Sequence, residues 1–333
     1  MSEMRFAVVR LGSLGDIVHT FPAVAALRQS FPAARIIWLT HPRWVGLVAS
    51  SNLATEIWSV DSRNLGSVCQ VIAKLRAFDC DAVIDYQGLW KSALPGFLAG
   101  ASRRIGFSSE TIREYGVPIL YTDRVKCRSV HIADQNGELS LRVGATNSVG
   151  DVMVTVPAGD ESAVERQLQK EGITSYVVLS PGGGWRSKCW PAERFGALCL
   201  SIRDELGLRC VINYGPGEED LLSSVVSASG NSQPLGWNGE LGQLMALLKN
   251  ARCVVGGDTG PLHLAVALRS PVVALFGPTD PSRNGPYSQN DLVLRSAGAV
   301  TTYRRGSVAD PSLRDLSVEQ VFAGLKKRLV SQP

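Results

Sequence analysis

Five short stretches of this 333-residue chain join glycine to carboxylates, hydroxyls or cations, the groups that handle an activated anionic substrate. In Leu11-Gly12-Ser13-Leu14-Gly15-Asp16 two glycines permit a tight turn and close backbone approach. Asp16 admits two roles: an acid at a helix start, favoured by the helix dipole, or a general base, with His19 one turn further on. In Pro181-Gly182-Gly183-Gly184-Trp185-Arg186-Ser187-Lys188 successive backbone N–H groups can ring a phosphate, and Lys188 adds a mobile cation. No G-K-[ST] follows, so this is not a Walker A loop. It suits a nucleotide diphosphate held as a leaving group without Mg²⁺; a plain surface loop is the alternative.

Gly215-Pro216-Gly217-Glu218-Glu219-Asp220 supplies either an acidic first helical turn or, through Glu218, a carboxylate for two neighbouring ribose hydroxyls. In Gly257-Asp258-Thr259-Gly260-Pro261-Leu262-His263 the Gly-Pro pair opens a helix whose first N–H groups point at an incoming anion. Asp258 can accept from sugar hydroxyls, while Thr259 and the Gly260 N–H serve the phosphate. His263 reads equally well as a core histidine. Gly277-Pro278-Thr279-Asp280-Pro281 is placed at the border of the same cleft.

These loops need strands before them. Apolar runs at residues 5–11, 35–40, 82–86, 176–180, 210–214, 253–256 and 272–276 read as strands. Helical spacing appears at 16–30, 65–75, 194–206, 218–229 and 241–250. This alternation predicts parallel sheets with helices on both faces, and ligands bind such sheets beyond the carboxyl ends of the strands. Residues 145–160 read as the inter-domain connection. Ser317-Val318-Glu319-Gln320 has the capping-box pattern and opens an amphipathic helix.

Other chemistries fit poorly. The G-x-x-G spacing at Gly12 and Gly15 departs from the dinucleotide fingerprint, and no acid ends the second strand. Asp79-Cys80-Asp81 matches D-x-D but precedes a strand, the wrong end for a metal-held nucleotide. The four histidines lack zinc spacing, and the seven cysteines contain no CxxC pair. A net charge of +4, interspersed along the chain, is too mild to argue for nucleic acid. The amino terminus has no signal-peptide pattern and no apolar run reaches spanning length, so the expected location is the cytoplasm.

Taken in order, these loops resemble glycosyltransferase family 9, the heptosyltransferases of lipopolysaccharide core assembly. The likeness runs from residues 5–20 (RFAVVRLGSLGDIVHT) through 81–92 (DAVIDYQGLWKS) and 188–191 (KCWP) to 257–263 (GDTGPLH) and 276–281 (FGPTDP). The 87–92 segment is more similar to the first heptosyltransferase type than the second. Gly183 and Gly184 depart from the hydroxyl residues common in that type.

The resemblance implies an α/β, GT-B fold of two Rossmann-like domains with parallel sheets facing across a cleft. Residues 1–155 would bind the acceptor and 156–315 the nucleotide sugar, with a C-terminal helix over 316–333 that can pack back on the first domain. It implies heptose transfer from ADP-L-glycero-D-manno-heptose to an anionic glycolipid acceptor of Kdo-lipid A type, with no cofactor and no metal. Peripheral contact with the inner membrane would follow. Asp16 matches the catalytic base. Gly182, Gly183, Gly184, Lys188, Glu218, Asp258, Thr259, Gly260, Leu262 and His263 match the donor site, with Glu219 the alternative to Glu218. Gly15, Gln87, Lys91 and Arg113 are assigned to the acceptor, and Arg103 and Arg104 are further candidates for its anionic groups. The alternatives are a family 9 enzyme with another donor or acceptor, or a GT-B-like nucleotide-sugar epimerase.

Overall fold

Runs of valine, isoleucine and leucine too short for helices, each followed by a glycine or acidic turn, form strands buried on both faces. A computed structural model describes residues 3–112, 114–287 and 291–330. The chain divides into two compact units, Met1–Thr155 and Val156–Pro333.

The first unit holds β1 (Arg5–Val9), β2 (Arg35–Thr40), β3 (Glu56–Ser59), β4 (Ala82–Asp85), β5 (Arg104–Phe107) and β6 (Asp123–Val125) in one sheet of order β3-β2-β1-β4-β5-β6. Every pairing in it is parallel. The second holds β7 (Tyr176–Ser180), β8 (Arg209–Asn213), β9 (Leu235–Trp237), β10 (Cys253–Gly257), β11 (Val272–Phe276) and β12 (Leu292–Arg295), ordered β12-β11-β10-β7-β8-β9 and again parallel. In each sheet the chain winds outward one way, then returns to the middle and winds the other way. The reversal falls between β1 and β4 in one sheet and between β7 and β10 in the other. Such a switch point leaves a crevice at the strand carboxyl ends, and the loops after these four strands carry most of the expected site residues.

Each sheet has its own core. Ala7, Val9, Ile37, Leu39 and Val83 pack with Val71 and Leu75 of the helix Leu65–Phe78 in the first. Val177, Leu179, Val255 and Val273 pack with Leu198 and Ile202 of the helix Ala192–Leu206 in the second.

The structure differs from expectation in one place and adds detail in two others. The helical spacing at 16–30 is two helices, Leu14–Val18 and Phe21–Ser30. Pro22 lacks an N–H and its ring would meet the Val18 carbonyl of a continuous helix, so it occupies a new first turn. Residues up to 155 belong to the first unit, where the Gly150 and Thr155 N–H groups donate to the Pro22 and Ser50 carbonyls at 2.8 and 2.9 Å. The helix Val318–Val330, for which the sequence leaves packing back on the first domain open, builds Val321, Phe322 and Leu325 into the core of the second, a burial worth roughly 1.5–3 kcal/mol per large side chain. Its start is the expected capping box. Ser317 N–H donates to Gln320 Oε1 at 2.9 Å, and Gln320 N–H to Ser317 Oγ at 3.3 Å. No helix among the described residues is long and apolar enough to cross a membrane.

Candidate active site

In the first unit, Asp16 lies in the first turn of the helix after β1. Its Oδ2 accepts from the Ser13 N–H at 3.1 Å and the Ser13 hydroxyl at 2.9 Å. The helix-start role is therefore real. The other oxygen, Oδ1, lies 2.8 Å from Arg10 Nη2. Arg10 is buried at the end of β1 and also donates to the Tyr86 carbonyl. Burial pushes the Asp16 carboxyl up, but the Arg10 guanidinium and the Ser13 hydrogen bonds outweigh it and hold the group at about 2. The side chain remains 45% exposed, so one anchored carboxylate still faces solvent.

The β4 loop leans on this one. Gln87 Oε1 accepts the Leu11 N–H at 2.7 Å, which brings Gln87 to the β1 loop as a strut. Asp85, which ends β4, is buried and accepts from the Gln87 and Gly88 N–H groups and the Ser92 and Tyr121 hydroxyls. Burial nonetheless pushes its carboxyl up. Neither Arg10 nor Asp85 was singled out from sequence, although a charged residue closing an apolar strand was the available signal.

Gly15 is buried within its helix, and Lys91 is exposed on the first turn of the helix Trp90–Leu98. Arg113 lies outside the described residues. Arg103 and Arg104 are committed elsewhere: Arg103 to the Arg142 carbonyl and Asp123, Arg104 to the Leu120 and Ala101 carbonyls. Asp81 accepts the Arg5 N–H at 2.7 Å and Asp79 pairs with the Arg5 side chain, so the D-x-D acids fasten the start of β1.

In the second unit the loops after β7, β8 and β10 meet. Lys188 Nζ lies 2.6 Å from Asp258 Oδ2, and His263 Nε2 lies 2.9 Å from Asp258 Oδ1. Burial raises the Asp258 carboxyl, but His263 and Lys188 together pull it well below the usual range. His263 is thus a partner of Asp258 rather than a residue of the apolar core alone.

Glu218 turns back across the β7 loop. Its Oε2 accepts the Gly215 N–H at 2.8 Å, and a Cβ at Gly182 would stand 2.3 Å from that oxygen. Glycine is required there for the carboxylate to reach the turn. Gly183 approaches Thr259, whose Cγ2 would lie 2.8 Å from an added Cβ, while Gly184 faces open space. Glu219 is exposed and accepts the Gly217 N–H at 3.3 Å, so Glu218 is the acid that joins the loops. Thr259 Oγ1 is buried without a hydrogen-bond partner among the described residues, a hydroxyl whose donor capacity is unspent. Gly260 begins the helix Gly260–Ala267. Leu262 is fully buried, which leaves only its backbone for a ligand.

The second unit therefore brings together a glycine turn, a cation, a hydroxyl and an inward carboxylate. The first offers an anchored, open carboxylate. The sequence pattern of glycosyltransferase family 9 (heptosyltransferase) fits residues 68–310. Lipopolysaccharide heptosyltransferase 3 of Escherichia coli K12 is 26% identical over 330 residues, 95% of each chain. Lipopolysaccharide heptosyltransferase 1 of the same strain is 28% identical over 311 residues, 88% of this chain and 94% of that one. The solved structure of Escherichia coli heptosyltransferase WaaC with ADP superposes with a TM-score of 0.77 at 24% identity, over 98% of this chain and all of that one. The two parallel sheets are those of the GT-B fold, and the chain belongs to glycosyltransferase family 9.

Proposed function

We propose that this glycosyltransferase moves L-glycero-D-manno-heptose from its ADP-activated form to a Kdo-bearing lipid A inner core, with inversion at the anomeric carbon. The observation that carries the donor reading is the joining of three loops by Glu218, Lys188 and Asp258 around the glycine turn. The relatives, lipopolysaccharide heptosyltransferases by name and one solved with ADP, support the sugar and nucleotide.

In the proposed step the acceptor hydroxyl oxygen attacks the anomeric carbon as the bond to the diphosphate oxygen breaks. The hydroxyl proton passes to Asp16 and the electron pair leaves with ADP. A carboxylate held at about 2 is a weak base for an alcohol, so proton removal is concerted with bond formation, when the hydroxyl is most acidic. Lys188, the amides of Gly182, Gly183 and Gly184, and the helix start at Gly260 stabilise the departing diphosphate. No step runs through a metal, and full activity is expected in excess EDTA; strict dependence on a divalent ion would overturn this scheme.

A donor screen by thermal shift tests the reading. ADP-heptose should stabilise the chain more than ADP-mannose or any UDP- or GDP-sugar, and a selective response to a UDP-sugar would overturn the assignment. Kdo-lipid A should then accept heptose, whereas transfer only to an already heptosylated core would move the chain to a later step.

The lipid-linked acceptor also gives a use to an apolar surface of the first unit. Trp90, Phe97, Leu98 and Ile119 are exposed around the helix Trp90–Leu98. Lys91 is exposed among them, Arg104 lies over the Phe97 ring, and Arg76 donates to the Leu98 carbonyl. Large apolar side chains ringed by cations suit an anionic bilayer surface. The chain should sediment with anionic vesicles in low salt and less in high salt, and equal sedimentation with neutral vesicles would remove the charge argument.

A further inference from the structure

The donor loops have a charge imbalance. A nucleoside diphosphate sugar brings two negative charges to a turn already flanked by Asp258 and Glu218. Lys188, the cation within that turn, is matched at 2.6 Å by Asp258. A second cation beside the turn would add to its backbone N–H groups the charge that Asp258 offsets on Lys188.

One stands beside the turn. The Trp185 ring follows directly on Gly184. Lys188 Nζ lies 4.4 Å from its centroid and Arg305 Cζ lies 5.3 Å from it. Two cations share one indole, whose negative face offsets part of their repulsion. Arg305 is exposed and makes no ion pair among the described residues, so its charge is uncommitted.

The backbone holds it in place. The Asp310 N–H donates to the Ser187 carbonyl at 3.3 Å and the Gly306 N–H to Ser187 Oγ at 3.4 Å. The Thr302 N–H donates to the Pro278 carbonyl at 2.7 Å. Residues 302–310 are thereby strapped to the β7 loop on one side and to the loop after β11 on the other.

We propose that Arg305 is a diphosphate-binding residue of the donor site, with Trp185 as the platform that parks its guanidinium beside the turn. The proposal rests on the donor reading above. A guanidinium fork can take two phosphate oxygens at once, which a lysine cannot. Arg305 then supplies the charge that Asp258 removes from Lys188, and Thr259 Oγ1 supplies a neutral donor. Nucleoside recognition, through Glu218, is a separate contact.

Calorimetry on the full chain separates the possibilities, with ADP and adenosine as probes. Arg305→Ala should weaken ADP about 10- to 100-fold and leave adenosine within about twofold, its expected change being near zero because no phosphate is present. Arg305→Lys should recover only part of the loss. Trp185→Ala should weaken ADP in the same direction, and the double variant should lose less than the sum of the two. ADP addition should change the fluorescence of the wild type and not that of Trp185→Phe at the same site. If Arg305→Ala binds ADP as the wild type does while Lys188→Ala binds it weakly, the role of Arg305 is wrong and the donor site stands. If the wild type binds neither ADP nor an ADP-sugar, the functional reading falls and this inference with it.

Discussion

Asp16 and Asp258 lie in two sheets of the same winding, each in a loop that follows a strand flanking the switch point (β1 in one sheet, β10 in the other), and each beside a cation. Their surroundings part there. Asp258 spends one oxygen on Lys188 and the other on His263, and its side chain is 4% exposed. Asp16 is held by Arg10 and Ser13 but keeps nearly half its surface open. A sealed carboxylate can orient a cation and an imidazole but has no path to an incoming hydroxyl. An open one can take a proton. The same residue type beside two switch points is thus a buried scaffold in one unit and, in the proposed mechanism, the reagent in the other.

The widest separation between them should appear in turnover. Asp16→Asn keeps the shape and can still accept from Ser13, yet it loses the base and should lower kcat by roughly 10²- to 10⁴-fold. ADP affinity, measured by calorimetry, should stay unchanged because the proposed donor loops belong to the second unit. An Asp16→Asn variant with wild-type turnover would break the comparison outright.

Stability should show the reverse order. Lys188→Met leaves the Asp258 carboxylate buried with His263 alone, and removing one partner of a buried pair costs about 3–5 kcal/mol. Urea unfolding measures it. Asp16→Asn leaves the buried Arg10 guanidinium without its countercharge, but this site opens to solvent on the Asp16 side, so its loss should be smaller than that of Lys188→Met. If the two variants were equally destabilised, the distinction between sealed and open acids would be wrong.

The effect of pH sharpens the Asp16 side. Its folded pKa, about 2, is below the ordinary 3.8. A depressed carboxylate contributes stability that is fully present above its unfolded pKa and lost as pH falls through the folded one. The window is therefore from about pH 4 down to about 2, and kcat/KM should show no acid limb from this group above pH 4. Arg10→Gln removes the main charge that lowers it, so both the limb and the stability loss should move up in pH. A limb near neutrality in the wild type that shifted with Arg10→Gln would show that Asp16 is not held down.

The strands most visible in the sequence, β1, β2, β4, β7, β8, β10 and β11, all have neighbours on both sides, and none is at an edge. Burial on both faces demands unbroken apolar runs, and RIIWLT or VVALF cannot be read otherwise. Of the strands not anticipated, β3, β6, β9 and β12 are the edges, three or four residues long and carrying residues such as Glu56, Arg124 and Arg295, and β5 is an interior strand of only four residues. The edge strands have a weak pattern because water reaches them, and β5 is too short, with Arg104 and Gly106 in its four residues, to show an apolar run. The site divides similarly. Glycine turns and the acids after them are local, and the sequence displays them. The pairing of Arg10 with Asp16, of His263 with Asp258, or of Glu218 with Gly182 joins residues from different strands or turns of helix, and side-chain direction decides it.

That dependence on direction yields the finest test, within the glycine run itself. Gly182→Ala places a methyl on the Glu218 carboxylate, 2.3 Å from Oε2. Glu218 must swing away, breaking its bond from the Gly215 N–H, and ADP affinity should fall about tenfold, the worth of one hydrogen bond to a charged group. Gly184→Ala meets nothing within 4 Å and should leave affinity within about twofold, since a surface substitution away from such contacts changes little. Both glycines expose N–H groups to the same turn, so a phosphate cradle alone would make the two substitutions alike. Unequal losses would instead show that the turn is shaped by the carboxylate behind it, and equal ones would separate Glu218 from the nucleotide.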